Sequence, residues 1–136
     1  MSCRNCAEDA TVLFDTDVLV WLERGSERAA RLLDRAEGRM ISVQTYMELL
    51  QSAQSREQHQ ATRRFIADYG FLVLPLTENI GHRASIYVEE YTLSCGLRAG
   101  DAIIAATATE NDLVLCSANR KHFSPIRDLR LEVFRP

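Results

Sequence analysis

The sequence predicts an α/β fold in which helices cover both faces of a parallel sheet. Three observations lead there. Short apolar runs, at Val12 to Phe14, Met40-Ile41, Phe71 to Leu74 and Leu113 to Cys116, alternate with segments of helical periodicity. Runs of this kind, unbroken by polar alternation, are how strands buried on both faces read. The stretches between them carry helices, so successive strands are joined in parallel by right-handed crossovers. At 136 residues the chain can bury one good core and is too short for two ordinary domains. The expected organisation is a polar leader over residues 1–10 and a single domain over residues 11–136.

Val12-Leu13-Phe14 is the first strand and ends in an acidic turn, Asp15-Thr16-Asp17. Val18 to Glu23 follows as helix and stops near Gly25. Ser26 caps a second helix with Ala29, Ala30, Leu32, Leu33 and Ala36 at helical spacing, ending at Gly38. After the short strand Met40-Ile41, Ser42 caps a third helix whose apolar stripe is Val43, Tyr46, Met47, Leu50 and Ala53, with Glu48 inside it. A helix from about Arg56 to Tyr69 carries Ala61, Phe65 and Ile66, and Gly70 closes it. Phe71 to Leu74 reads as a buried strand before Pro75. Thr77 to about Cys95 reads as a long amphipathic helix ended by Gly96. Asp101 opens a helix that is apolar on nearly every face from Ala102 to Ala108, which predicts burial and close backbone approach. Leu113 to Cys116 is the next buried strand, Ser117 to Pro125 a loop, and Leu131-Glu132-Val133 a last edge strand. No internal repeat or low-complexity segment interrupts the pattern.

Composition narrows the function. Hydrophobic residues at 46% against charged residues at 26% give the balance of a soluble globular protein. The apolar runs fall far short of the roughly 20 residues a membrane helix needs. Residues 1–10 carry Arg4, Glu8 and Asp9 and lack the order of a secretory signal, so no membrane contact and a cytoplasmic location are expected. Cys3 and Cys6 form a CxxC without the matching second pair of a structural zinc site; reduced thiols are the expectation for them and for Cys95 and Cys116. A net charge of -3 excludes a grip on nucleic acid by bulk positive potential, so any such contact must be local. Lys121 is the one lysine among the cations, and the arginines fork onto phosphate better than lysine does.

In open α/β sheets the working site lies at the carboxyl ends of the strands, where Asp15 and the segment from Ser117 to Asn119 fall. Each acid has an ordinary reading alone. Asp15, Asp17 and Asp101 stand where helix caps stand, and Glu48 shares a polar helix face with Gln44, Thr45, Gln51 and Ser52. Together, a strand-end Asp, a helical Glu and an Asp at the start of a buried helix supply the oxygen ligands of a hard divalent cation. Without one, such a cluster suffers like-charge repulsion.

Four ordered segments, Val12 to Leu19, Ile41 to Leu49, Asp101 to Ala108 and Leu113 to Phe123, resemble the PIN-domain ribonucleases, and within them the toxins of VapBC-type toxin–antitoxin pairs. The likeness runs from about Val12 to the C-terminus. It implies a three-layer α/β/α sandwich with a central parallel sheet, and cleavage of RNA phosphodiesters dependent on Mg²⁺ or Mn²⁺. It also implies a homodimer and a small inhibiting antitoxin. Asp15, Glu48 and Asp101 become the metal-holding catalytic acids. Asn119 stands where many relatives carry a fourth Asp, and a neutral amide is the poorer cation ligand. Thr16, Asp17 and Ser117, with Asn119, would orient the ligands. Arg98, Arg120 and Lys121 are candidates for flanking phosphates, and His122 is expected to be structural or on the surface. Two other readings fit parts of the sequence. Phe14 to Leu19 also resembles the opening motif of haloacid-dehalogenase phosphatases, and Asn119 gives some support to a non-catalytic module that binds RNA or a partner.

Overall fold

The computed structural model describes residues 11–136; the leader, with Cys3 and Cys6, lies outside the described residues. Strand β1 (Val12–Phe14) leads into α1 (Thr16–Glu23) and α2 (Glu27–Arg35), then β2 (Arg39–Ser42). Helices α3 (Val43–Ser52) and α4 (Arg56–Asp68) precede β3 (Leu72–Leu74). Two helices, α5 (Glu78–Cys95) and α6 (Ala99–Glu110), lead to β4 (Val114–Ser117), the short α7 (Arg120–Phe123) and β5 (Leu131–Val133). The strands form one sheet in the order β3-β2-β1-β4-β5, parallel at every pairing.

β1 shows the layering in three residues, because successive side chains of a strand point to opposite faces. Val12 and Phe14 join one core with Val18, Leu19 and Leu22 of α1, Leu33 of α2, Leu49 of α3 and Ile66 of α4. Leu13 joins the other, with Ile80, Ala84 and Tyr87 of α5 and the alanines of α6. Helix α6 is buried as its composition predicts: Ala102, Ala105, Ala106 and Ala108 are fully enclosed, and the hydroxyl of Thr107 donates to the carbonyl of Ile103 at 2.7 Å. No helix among the described residues is long and apolar enough to cross a membrane.

The structure differs from the sequence reading at several elements. Phe71 to Leu74 is not a buried strand throughout: β3 is an edge of the sheet, and Leu72 is 55% exposed. An apolar run does not distinguish a central strand from an edge. Helix α3 buries Thr45 and Leu49 and leaves Met47 exposed, so the stripe through Met47 was set one position off. In α4 the buried residues are Thr62 and Ile66, with Ala61 exposed. Helices α1 and α6 begin two residues earlier than read, at Thr16 and Ala99, and α2 stops at Arg35, before Gly38. The expected loop after β4 holds α7, a single turn whose N-cap Asn119 accepts from the amide of His122.

The strand order places the site. The chain lays β2 and β3 on one side of β1, then crosses back to put β4 and β5 on the other. β1 and β4 therefore flank the switch point, where adjacent connections leave in opposite directions and open a crevice at the carboxyl ends. The amide of Asp15 donates to the carbonyl of Cys116 at 2.9 Å and ties those two strand ends together.

Candidate active site

Asp15 ends β1 and caps α1. One carboxylate oxygen accepts from the amide of Thr16 at 2.8 Å, and the other accepts the hydroxyl proton of Ser117 at 2.7 Å. Ser117, fully buried at the end of β4, in turn accepts from the amide of Asn119 at 2.9 Å. Asp15 is itself buried, and no cationic side chain meets its oxygens. Burial, followed by the charge of Asp17 two residues along, pushes its carboxyl up to about 7, with Asp101 adding to the push. Asp17 is also pushed upward, first by burial, although the amide of Ala118 donates to it at 3.0 Å. Its other oxygen, Oδ1, is buried without a partner.

Asp101 and Glu48 approach from α6 and α3. Gly100 packs so closely on α3 that a Cβ there would lie 2.9 Å from Gln44 Nε2 and 3.1 Å from Glu48 Oε2. Glu48 accepts from the hydroxyl of Thr16 and, at 2.9 Å, from the amide of Gln44. Thr16 therefore links it to the start of α1, beside Asp15. Asp101 Oδ2 lies 2.9 Å from His122 Nδ1 and 3.4 Å from the amide of Arg98. His122 Nδ1 is also 3.0 Å from the side-chain amide of Asn119. That nitrogen serves one partner at a time: protonated it donates to Asp101, bare it accepts from Asn119.

Asp15, Glu48, Asp101, Thr16, Asp17, Ser117 and Asn119 thus belong to one connected region at the switch point. Among the described residues, however, no three His, Cys, Asp or Glu side chains stand together as a ready-made set of metal ligands. Like charges repel, and each carboxylate is turned onto a donor of its own. Arg98, Arg120 and Lys121 are exposed around the region. Two features escaped the sequence reading. Asp17 is a member of the charged cluster in its own right, and His122, expected to be structural or on the surface, is 22% exposed and has Asp101 as its particular partner at 2.9 Å. The spacing of Asn119 and His122 across one helical turn was the signal available for the second.

The family model of the PIN domain matches residues 12–128. The chain belongs to the PIN-domain family. This PIN domain is 34% identical over 123 residues to Ribonuclease VapC10 of Mycobacterium tuberculosis (strain ATCC 25618 / H37Rv), across 88% of this chain and 90% of that protein. Its fold matches a toxin-antitoxin complex from Klebsiella pneumoniae with a TM-score of 0.78 and 30% identity, covering 92% of this chain and 98% of that one. A structure of VapBC-1 from nontypeable Haemophilus influenzae shares the fold at a TM-score of 0.77 with 22% identity, over 91% of this chain and 98% of that one. The three-layer sandwich expected from the sequence is therefore the fold of this PIN domain.

The donor set of this PIN domain fits a hard divalent cation. All the acids offer oxygen, the ligand type such ions take. A buried carboxylate oxygen on Asp17 lacks a partner, and Asp15 is buried beside it with hydroxyl and amide donors but no cationic side chain on its oxygens.

Proposed function

We propose that this chain is a divalent-metal-dependent endoribonuclease, the toxin of a toxin–antitoxin pair, acting in the cytoplasm as a homodimer. The observation that carries the reading is the placement of Asp15, Asp17 and Asp101 within electrostatic reach of one another at the switch point of a PIN fold. The 34% identical relative is named a ribonuclease, and the neighbour from Klebsiella pneumoniae is a toxin-antitoxin complex. The phosphatase reading of Phe14 to Leu19 gives way to the family match, which spans most of the chain.

Asp15, Glu48 and Asp101 would hold the ion, Mg²⁺ or Mn²⁺, with Asp17 beside them. When bound, such an ion lowers the pKa of a coordinated water and neutralises charge developing on the phosphate. The residues of the chain set the stage for that chemistry. Ser117 and the amide of Thr16 fix both oxygens of Asp15. Thr16 and Gln44 aim Glu48, and His122 aims Asp101. In place of a fourth carboxylate, the Asn119 side chain would hold the ring and the amide of His122, while its backbone amide donates to Ser117. Arg98, Arg120 and Lys121, exposed around the region, would meet phosphates flanking the cut.

The test is cleavage of single-stranded and structured RNA by antitoxin-free protein. Cleavage is expected with Mg²⁺ or Mn²⁺ and none with EDTA. Asp15→Asn and Asp101→Asn should each cost more than the roughly 10–100-fold typical of losing a partner that only orients a ligand. Variants that stay folded and cut at the wild-type rate would remove the site assignment. A wild type that binds RNA but never cuts would leave the non-catalytic module standing. For the partner, co-expression of the neighbouring reading frame should relieve growth arrest and yield a complex in which a helix or tail covers the acidic pocket. Unrelieved arrest and recovery of this chain alone would count against the antitoxin.

A further inference from the structure

A second charged feature lies near the acid cluster and has no part in the mechanism above. Arg28, Arg31 and Arg35 recur at helical spacing on α2, so they share one face. That face forms one wall of a cleft of about 570 Å³; β5 and the residues after it, including Glu132, Phe134 and Arg135, form the other. Arg28 Nη1 lies 3.4 Å from the carbonyl oxygens of Arg135 and Pro136, so it ties the two walls together at one end. Arg31 and Arg35 are only loosely engaged. Their nearest acids, Glu27 and Glu132, are each 3.9 Å away, and the arginine side chains are 66% and 74% exposed. Ion pairs this long and this wet leave the guanidinium forks available. Asp34, which also lines the cleft, is turned toward Arg39 at 3.7 Å.

The backbone connects this cleft to the acid cluster. Phe134, next to Arg135, donates its amide to the carbonyl of Ser117 at 2.8 Å, and Ser117 donates to Asp15. The Arg28 and Arg135 end of the cleft thus reaches the carboxyl edge of the sheet, where Asp15 lies with β4 between, while Arg35 lies toward the start of β2, next to the Asp34–Arg39 pair. A protein of net charge -3 whose reaction centre is itself anionic needs a local cationic surface to hold a polyanion. Arginine suits that role, because its planar fork meets phosphate oxygens in pairs.

We propose that the cleft between α2 and β5 is a docking track for the phosphate backbone of the RNA strand being cut, away from the scissile bond. The proposal rests on the ribonuclease reading for its ligand. Charge complementarity to a polyanion, and the opening of the Arg28 end of the cleft at the edge of the sheet that carries Asp15, favour the substrate over an acidic peptide as the occupant.

The experiment measures binding of a fluorescent single-stranded RNA across a salt series, with no divalent ion added so that nothing is cut. Wild type is compared with Arg31→Gln/Arg35→Gln and with Arg31→Lys/Arg35→Lys. Both side chains are exposed, and circular dichroism checks that the variants fold. Each phosphate contact on a single strand contributes ~0.7 to the slope of log K against log salt, so the Gln variant should lose about 1.4. The Lys variant should keep most of the slope and bind more weakly than wild type. Unchanged affinity and slope in the Gln variant overturn the track. So does capture of polyglutamate, but not RNA, by the wild type. Cleavage with Mg²⁺ is assayed alongside: wild type that cuts while the Gln variant binds normally refutes the cleft alone, and RNA binding lost in the variant with no cutting by either protein refutes the nuclease alone.

Discussion

Asp15 concentrates the electrostatic strain of the molecule. Its carboxyl titrates near 7 when folded, against 3.8 for the unperturbed group, with burial the larger cause and Asp17 the next. Between those two values the folded chain keeps a proton that the unfolded chain has released. Stability without a divalent ion must therefore fall as pH rises from about 4 to about 7, by on the order of 4 kcal/mol at most, and level off above. Asp15→Asn removes the titration. Denaturant melts in EDTA at pH 5 and pH 8 should show a large loss for wild type and a much smaller one for the variant; equal losses would mean that Asp15 is not the strained group. The sequence exposed Asp15 as a candidate because it ends an apolar strand. It did not expose Asp17 as an equal member of the cluster, because a second Asp in a helix's first turn is what capping alone produces. His122 was hidden for a similar reason: its contact with Asp101 bridges 21 residues and depends on how α7 packs on α6.

Helices bring the acids together, and one glycine sets how closely. Gly100 is the second residue of α6, so the roughly 0.5–1 kcal/mol by which alanine is favoured over glycine in mid-helix is an upper limit there. The added methyl group would press on Gln44 Nε2 and Glu48 Oε2, the ends of flexible side chains that can swing away. Gly100→Ala should therefore change the melting temperature little while lowering cleavage several-fold, because Glu48 leaves the hydroxyl of Thr16. Comparing melting curves with initial rates checks this; a variant that cuts normally would place Glu48 outside the reaction. Most elements were legible because periodicity and caps are local. Ser26, Ser42 and Thr77 cap their helices, and Gly96 ends α5 with φ of +80°. What was missed depends on neighbours. β3 is an edge only because no further strand follows it in the sheet, and Thr45 is buried only because it faces Thr16 and Ser42 across a polar contact.

At the scale of the whole molecule, a cation that binds only the folded chain should stabilise it. An ion at 100 times its Kd adds about 2.7 kcal/mol, a rise of several degrees in Tm. Thermal melts with Mg²⁺ or Mn²⁺ against EDTA should show that rise for wild type and not for Asp15→Asn or Asp101→Asn. A rise of equal size in all three would put the ion elsewhere. The order of the sheet carries one more consequence. The central strand is made first, yet the hydroxyl that steadies its terminal carboxylate arrives 102 residues later. A polypeptide still leaving the ribosome holds Asp15 without Ser117, and Asp101 without His122, until its final strands emerge. The hydrogen bonds that orient these two acids are thus completed only near the end of synthesis.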